Sequence, residues 1–173
     1  GSSWCIHYSI GLPSLRCEEL SVCDVHGNGE TFARFSVSPG DLFLGDRVYG
    51  VRPGIFHVVR GGGDVLVRFA MSNLPLQTPQ GRACDLLGRL RKLRGTRIGD
   101  WAVRLQWENE TVEGRVCALR KSRQATQRAQ QQLRRDSQKS GSTPRPETLE
   151  SAGHLLVFTT VSQKALCATN VLE

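Results

Sequence analysis

The sequence predicts an α/β protein, and three stretches carry that prediction. Leu42-Phe43-Leu44, held between Gly40 and Gly45, is a short unbroken apolar run suited to a strand buried on both faces, in the middle of a helix-covered sheet. Ile55, Phe56, Val58 and Val59 follow Pro53 at the spacing of a short helix with one buried stripe, which Gly61-Gly62-Gly63 stops. Asp64 to Phe69, rich in β-branched and aromatic residues, is then a strand, completing a strand, helix, strand unit.

The other elements fall around this unit. Trp4 to Ile10 alternates like a strand, Gly11 to Ser14 is a turn, and Leu15 to Val25 is a second strand with Leu20, Val22 and Cys17 on one side, so the pair reads as a hairpin. Gly27-Asn28-Gly29 ends the hairpin, and Glu30 to Phe35 fits one or two helical turns. Between Leu74 and Arg120 the pattern is one of short strands and turns, most clearly Trp101 to Trp107 and Val116 to Leu119. Ser122 to Gln138 is a very polar helix whose stripe of Ala125, Ala129 and Leu133 is too thin for a core helix. Lys139 to Pro146 is a flexible loop, His154 to Val161 a buried strand, and a last helix starts near Ser162.

Composition narrows the class. With 39% hydrophobic and 23% charged residues the chain is globular, and no window approaches the ~18 consecutive apolar residues of a membrane helix. The N-terminus lacks the basic-then-apolar order of a signal peptide, so a cytoplasmic location is expected. Six cysteines without a C-x-x-C pair read as reduced core residues. The net charge of +7 is concentrated: residues 82–139 hold 15 Lys and Arg against 6 Asp and Glu, while the remainder holds 8 against 10. A basic section of this kind points to nucleic acid or another polyanion, with a merely solvated surface as the alternative.

Asp46 is the leading site residue, because it comes just past the 42–44 run, where strand ends of an open α/β sheet face a ligand crevice. The alternative is that it only caps the helix that follows. Thr159 and Thr160 end another buried strand and either line the same crevice or serve only as β-formers. Arg47 can pair locally or meet a phosphate, and Arg68, within a strand, calls for a buried acidic partner. His7, His26, His57 and His154 form no metal motif and read as structural, and Gly61-Gly62-Gly63 precedes a strand without the Lys-Ser/Thr of a P-loop, so it is a turn.

In order, the blocks Trp4 to Ser9, Gly40-Asp41-Leu42-Phe43-Leu44-Gly45-Asp46-Arg47-Val48-Tyr49, Val65 to Phe69, Gly114 to Arg120 and Leu155 to Thr160 resemble the DDE-type transposases of bacterial insertion sequences. The resemblance is to the IS-four family, in the branch marked by a Tyr-Arg-Glu-Lys signature, and the Leu-Gly-Asp-Arg-x-Tyr block is its most specific part. It implies an incomplete RNase H-like α/β core interrupted by a β-rich insertion. The implied divisions are 1–73 for the first part of the core, 74–121 for the insertion, 122–146 for the basic helix and loop, and 147–173 for the return to the core.

The resemblance also implies chemistry. Asp46 corresponds to the second of three acids that hold Mg²⁺ or Mn²⁺ for metal-dependent cleavage and transfer of DNA strands. The first Asp is expected upstream of Gly1 and the Glu downstream of Glu173, so the chain is expected to be an internal fragment, inactive alone. Arg47, Tyr49 and Thr159 are expected to shape the site, and Arg120, Arg123, Arg128, Arg134 and Arg135 to contact DNA. The implied partners are double-stranded DNA, as transposon ends and target, and a second copy in a homodimeric synaptic complex; the implied place is the bacterial cytoplasm, at the nucleoid. Two other readings stay open: a non-catalytic nucleic-acid-binding module, and an RNase H-like nuclease without strand transfer.

Overall fold

The chain's computed structural model describes residues 4–12, 14–24 and 29–172. The readings that involve Pro13, Val25, His26, Gly27-Asn28 and Glu173 lie outside those residues. As the alternating patterns require, β1 (Trp4–Gly11) and β2 (Arg16–Asp24) pair antiparallel as a two-stranded hairpin. A register shift between Ser9 and Ile10 brings Cys17 opposite Ile10, on the face of Leu20 and Val22. That face is turned outward, with Trp4 69% exposed, whereas His7 on the other face is buried within 3.4 Å of the Cys23 thiol.

A 3-10 turn at Phe32–Arg34 leads to β3 (Leu42–Gly45), and α1 (Arg52–Arg60) connects it to β4 (Asp64–Arg68), to which it runs parallel. The strand, helix, strand unit is therefore present. Pro53 starts the helix, and Gly62, at φ +82, makes the turn out of it. Ile55, Phe56 and Val58 have no exposed surface, which stabilises this unit by about 1.5–3 kcal/mol per side chain.

The remaining strands are β5 (Leu76–Gln77), β6 (Gly99–Trp107), β7 (Glu110–Arg120) and β8 (His154–Thr159), and the six-stranded sheet has the order β3-β4-β8-β7-β6-β5. Only β3 and β4 are parallel; the other neighbours are antiparallel. The fold is thus a mixed α/β arrangement. The 42–44 run, expected in the middle of the sheet, is instead an edge strand with Leu42 47% and Leu44 52% exposed. Three consecutive apolar residues satisfy a two-sided burial pattern, but burial depends on neighbours, and β3 pairs on one side only. Residues 74–121 form no separate layer, because β8 lies between β4 and β7 and joins all six strands.

Two short helices were not legible as such. In α2 (Leu86–Arg91), capped by Asp85, which accepts from the Gly88 N–H at 2.8 Å, Leu86 and Leu90 are buried. The segment α4 (Pro146–Ser151) begins where the flexible loop was expected to end, and the Arg91–Glu150 pair at 2.8 Å ties it to α2. Between them, α3 (Arg123–Lys139) is the polar helix expected, capped by Ser122 and burying no residue. The last helix, α5 (Ala168–Leu172), starts later than Ser162.

The sheet divides two hydrophobic layers. Val65, Val67, Phe69, Val116, Ala118, Leu156 and Phe158 pack with α1 and α2 in the main core. On the other face Cys117 and Val157 pack with Val171 of α5, joined by Leu66 and Leu166. Of the cysteines, Cys117 is a core residue as expected, whereas Cys17 and Cys167 are exposed; all six are free.

Candidate nucleic-acid interface

Asp46 follows the last residue of β3 and is exposed. Its Oδ1 accepts the Val48 N–H at 3.0 Å and its carbonyl accepts the Tyr49 N–H at 3.2 Å, so the carboxylate closes a turn. It does not cap α1, whose N-cap is Val51. The turn is held from below by aromatic rings: Tyr49 stacks on Phe32 at 5.0 Å, and Phe32 meets Phe43 edge-on at 5.5 Å. Partial burial raises the Tyr49 hydroxyl pKa above its usual value, and the nearby carboxylates of Glu30 and Asp46 add to the effect.

Strand register decides what stands beside Asp46. Leu44 pairs with Leu66 and Gly45 with Val67, so Asp46 and Arg68 each follow the last paired residue of two parallel strands, at the same end of the sheet. Arg68 is exposed at the strand end and makes no ion pair among the described residues, so the expected buried acidic partner is absent: water at the strand terminus solvates the guanidinium. Because β8 runs antiparallel to β4, its beginning and the end of β7 also reach this end of the sheet, with Arg120 opposite His154.

Lys121, next along from Arg120, is the residue that sequence reading missed. Its ammonium donates to the Ala152 carbonyl at 2.9 Å and its N–H to the Gly153 carbonyl at 2.9 Å. Burial lowers its pKa, and the positive charges of Arg68 and Arg47 lower it further. The one available signal was position, at a strand end just before the Ser122 cap. Burial likewise lowers the His154 pKa, opposed by the nearby backbone of Glu150, and its Nδ1 is buried without a hydrogen-bond partner among the described residues.

The antiparallel course of β8 corrects another expectation. Thr159 pairs with Leu66, and Thr160 lies beside Asp64, where it donates to Oδ1 at 2.5 Å and accepts the Val65 N–H at 3.0 Å. Thr160 therefore stands at the beginning of β4, the opposite end from Asp46, and Thr159, level with the middle of β4, is fully buried. They cannot line a common crevice with Asp46. Their end carries a recess of about 310 Å³ lined by Asp100, Glu113, Arg115 and Gln163 among others, in which Arg115 and Asp100 form an ion pair at 2.8 Å.

The basic helix α3 leaves the sheet from Lys121 and Ser122, so it departs from the Asp46 end. Arg120, Arg123, Arg128, Arg134 and Arg135 are exposed and make no ion pair among the described residues. Arg91 and Arg115, counted in the same basic section, are neutralised by Glu150 and Asp100. Among the described residues no group of three or more His, Cys, Asp or Glu is placed to hold a metal ion. These residues alone do not fit a divalent cation, which needs several oxygen ligands from the protein or water. No helix of the described residues is long and apolar enough to cross a membrane.

No protein-family model matches the chain, and no solved structure matches it. It is similar to InsL of Escherichia coli strain K12, named as a transposase for insertion sequence element IS186A, with 24% identity over 178 aligned positions. It is equally similar, at 24% identity, to the transposase for insertion sequence element IS421 of Escherichia coli. Each alignment covers 99% of this chain and 48% of the relative, so the chain spans about half the length of the curated relatives it matches.

Proposed function

We propose that this chain is part of an insertion-sequence transposase that acts on double-stranded DNA. The observation that carries the reading is the similarity to the IS186 and IS421 transposases, which runs over 99% of the chain. The gathering of Asp46, Arg47, Arg68 and Lys121 at one sheet end supports it, since an acid among cations that make no ion pair among the described residues suits a phosphodiester substrate. In this reading Asp46 is one ligand of a divalent cation, Mg²⁺ or Mn²⁺, in a longer protein of the DDE type. Residues outside 1–173 supply the other acids, and β3, α1 and β4 belong to an RNase H-like core that β5 to β8 and α3 interrupt. Arg47 and Tyr49 shape the surroundings of Asp46; Arg120, Arg123, Arg128, Arg134 and Arg135 hold DNA phosphates. The protein works as a homodimer in the bacterial cytoplasm, at the nucleoid.

The test has two arms. The intact chain should bind duplex DNA with little sequence preference, and with ~4–6 phosphate contacts should lose roughly two to three decades of affinity between 50 and 200 mM salt. In the longer protein Asp46→Asn should abolish cleavage and strand transfer while DNA binding persists. Cleavage at the unsubstituted rate would instead mean that Asp46 holds no metal and serves only to close the turn through its bond from the Val48 N–H, and the assignment of this site would fail.

A further inference from the structure

We infer that Arg47, Arg68 and Lys121 form a phosphate clamp that seats one backbone phosphate of duplex DNA beside Asp46, separately from the contacts of α3. The inference rests on the reading above only in taking duplex DNA as the polyanion.

The three cations come from three places in the chain: the turn after β3, the end of β4, and the junction of β7 with α3. Parallel pairing of β3 with β4 puts Arg68 at the same end of the sheet as Asp46, and the antiparallel course of β7 and β8 carries Lys121 to that end. Arg47 and Arg68 lie close enough to Lys121 for their charges to act on its ammonium. None of the three makes an ion pair among the described residues, nor does Asp46.

Three other arginines of the described residues are paired with carboxylates. Arg60 meets Glu110, Arg91 meets Glu150, and Arg115 meets Asp100. At the Asp46 end, three like charges repel one another and the single carboxylate does not neutralise them. A phosphate relieves that repulsion and accepts charge-assisted hydrogen bonds from two planar guanidinium forks. Lys121 is suited to complete the clamp, because one of its three N–H groups is spent on the Ala152 carbonyl, which fixes the ammonium while leaving two donors. The positive field of the clamp also outweighs the repulsion between Asp46 and the phosphate, so an acid and an anion can share the site.

The experiment compares salt titrations of duplex binding by five proteins: the intact chain, Arg47→Gln/Arg68→Gln, Lys121→Gln, Lys121→Arg, and Arg123→Gln/Arg128→Gln/Arg134→Gln/Arg135→Gln. Each phosphate contact contributes ~0.9 to the slope of log affinity against log salt, so the double variant should flatten it by about 2 and Lys121→Gln by about 1. Lys121→Arg should keep the slope of the intact chain. Thermal unfolding of the variants should match the intact chain, since both arginines are exposed and the Gln amide can still donate to Ala152. If the intact chain binds and only the α3 variant flattens the slope, the clamp is overturned and the transposase reading stands. If the intact chain does not bind duplex DNA at all, the DNA-contact part of that reading fails, and the clamp fails with it.

Discussion

Replacing the buried Arg115 by Met should strongly destabilise the part of the sheet formed by β6, β7 and β8. Its guanidinium donates to Asp100 at 2.8 Å, to the Val161 carbonyl at 3.0 Å, to the Cys117 sulfur at 3.3 Å and to the Leu166 carbonyl. The side chains of Arg115 and Asp100 are only 8% and 18% exposed. At 2.8 Å the gross attraction is about 6 kcal/mol for an effective dielectric of roughly 20, and desolvation of both groups cancels much of it. Removing one partner is different, because the Asp100 carboxylate stays in its half-buried place without the cation, at a cost of about 3–5 kcal/mol. For a chain of this size that corresponds to a Tm lower by roughly 6–20 °C. Urea unfolding should show the same loss as a shift in midpoint without a change in slope. Because Arg115 also holds the segment leading to α5, hydrogen exchange in residues 161–172 should accelerate. The double variant Arg115→Met/Asp100→Leu should recover much of the stability, as apolar replacements of a buried pair often do. A loss under about 1 kcal/mol, or a double variant as unstable as the single one, would refute this account.

Other outcomes follow from the same packing. Gly114→Ala should destabilise by about 1–3 kcal/mol in chemical denaturation, since a Cβ there would lie 2.6 Å from Phe158 and 2.7 Å from the Thr159 carbonyl. Asp46→Ala should cost about 0.5–1.5 kcal/mol through the lost turn bond, whereas Asp46→Asn should be nearly neutral because its amide oxygen can accept from Val48; equal losses would remove the turn-closing role. His154 has its folded pKa held below the ordinary 6.5 by burial, so the unfolded chain takes up its proton first on acidification. Its contribution is therefore intact above pH 6.5 and is lost as pH falls from 6.5 through the lowered folded value; His154→Gln should make stability less dependent on pH in that window, as read by unfolding midpoints. The four-arginine Gln variant of α3 should unfold like the intact chain, because α3 buries no residue.

Most elements could be read from residues that are close in sequence. The hairpin, α1 and β4 have clear periodicity, and α3 follows from its Ser122 cap and its polar composition. The short helices α2 and α4 were hidden because six residues show at most one apolar repeat, as with Leu86 and Leu90, which a strand-and-turn pattern also accommodates. Arg68 was read as a strand-interior charge, although β4 ends on it.

By itself the sequence determined that Asp46 follows a strand, that α1 buries one stripe, and that residues 82–139 carry most of the positive charge, because each depends on local composition or spacing. Tertiary structure alone decided which strands are neighbours and which way they run. It put the apolar 42–44 run at an edge and buried Thr159 away from Asp46, while bringing Lys121 toward Arg47 and Arg68. The physical reason is that strand order and direction come from pairing between residues far apart in the chain, as between Leu66 and Thr159, and reversing one strand exchanges its ends without changing its own hydrophobic pattern.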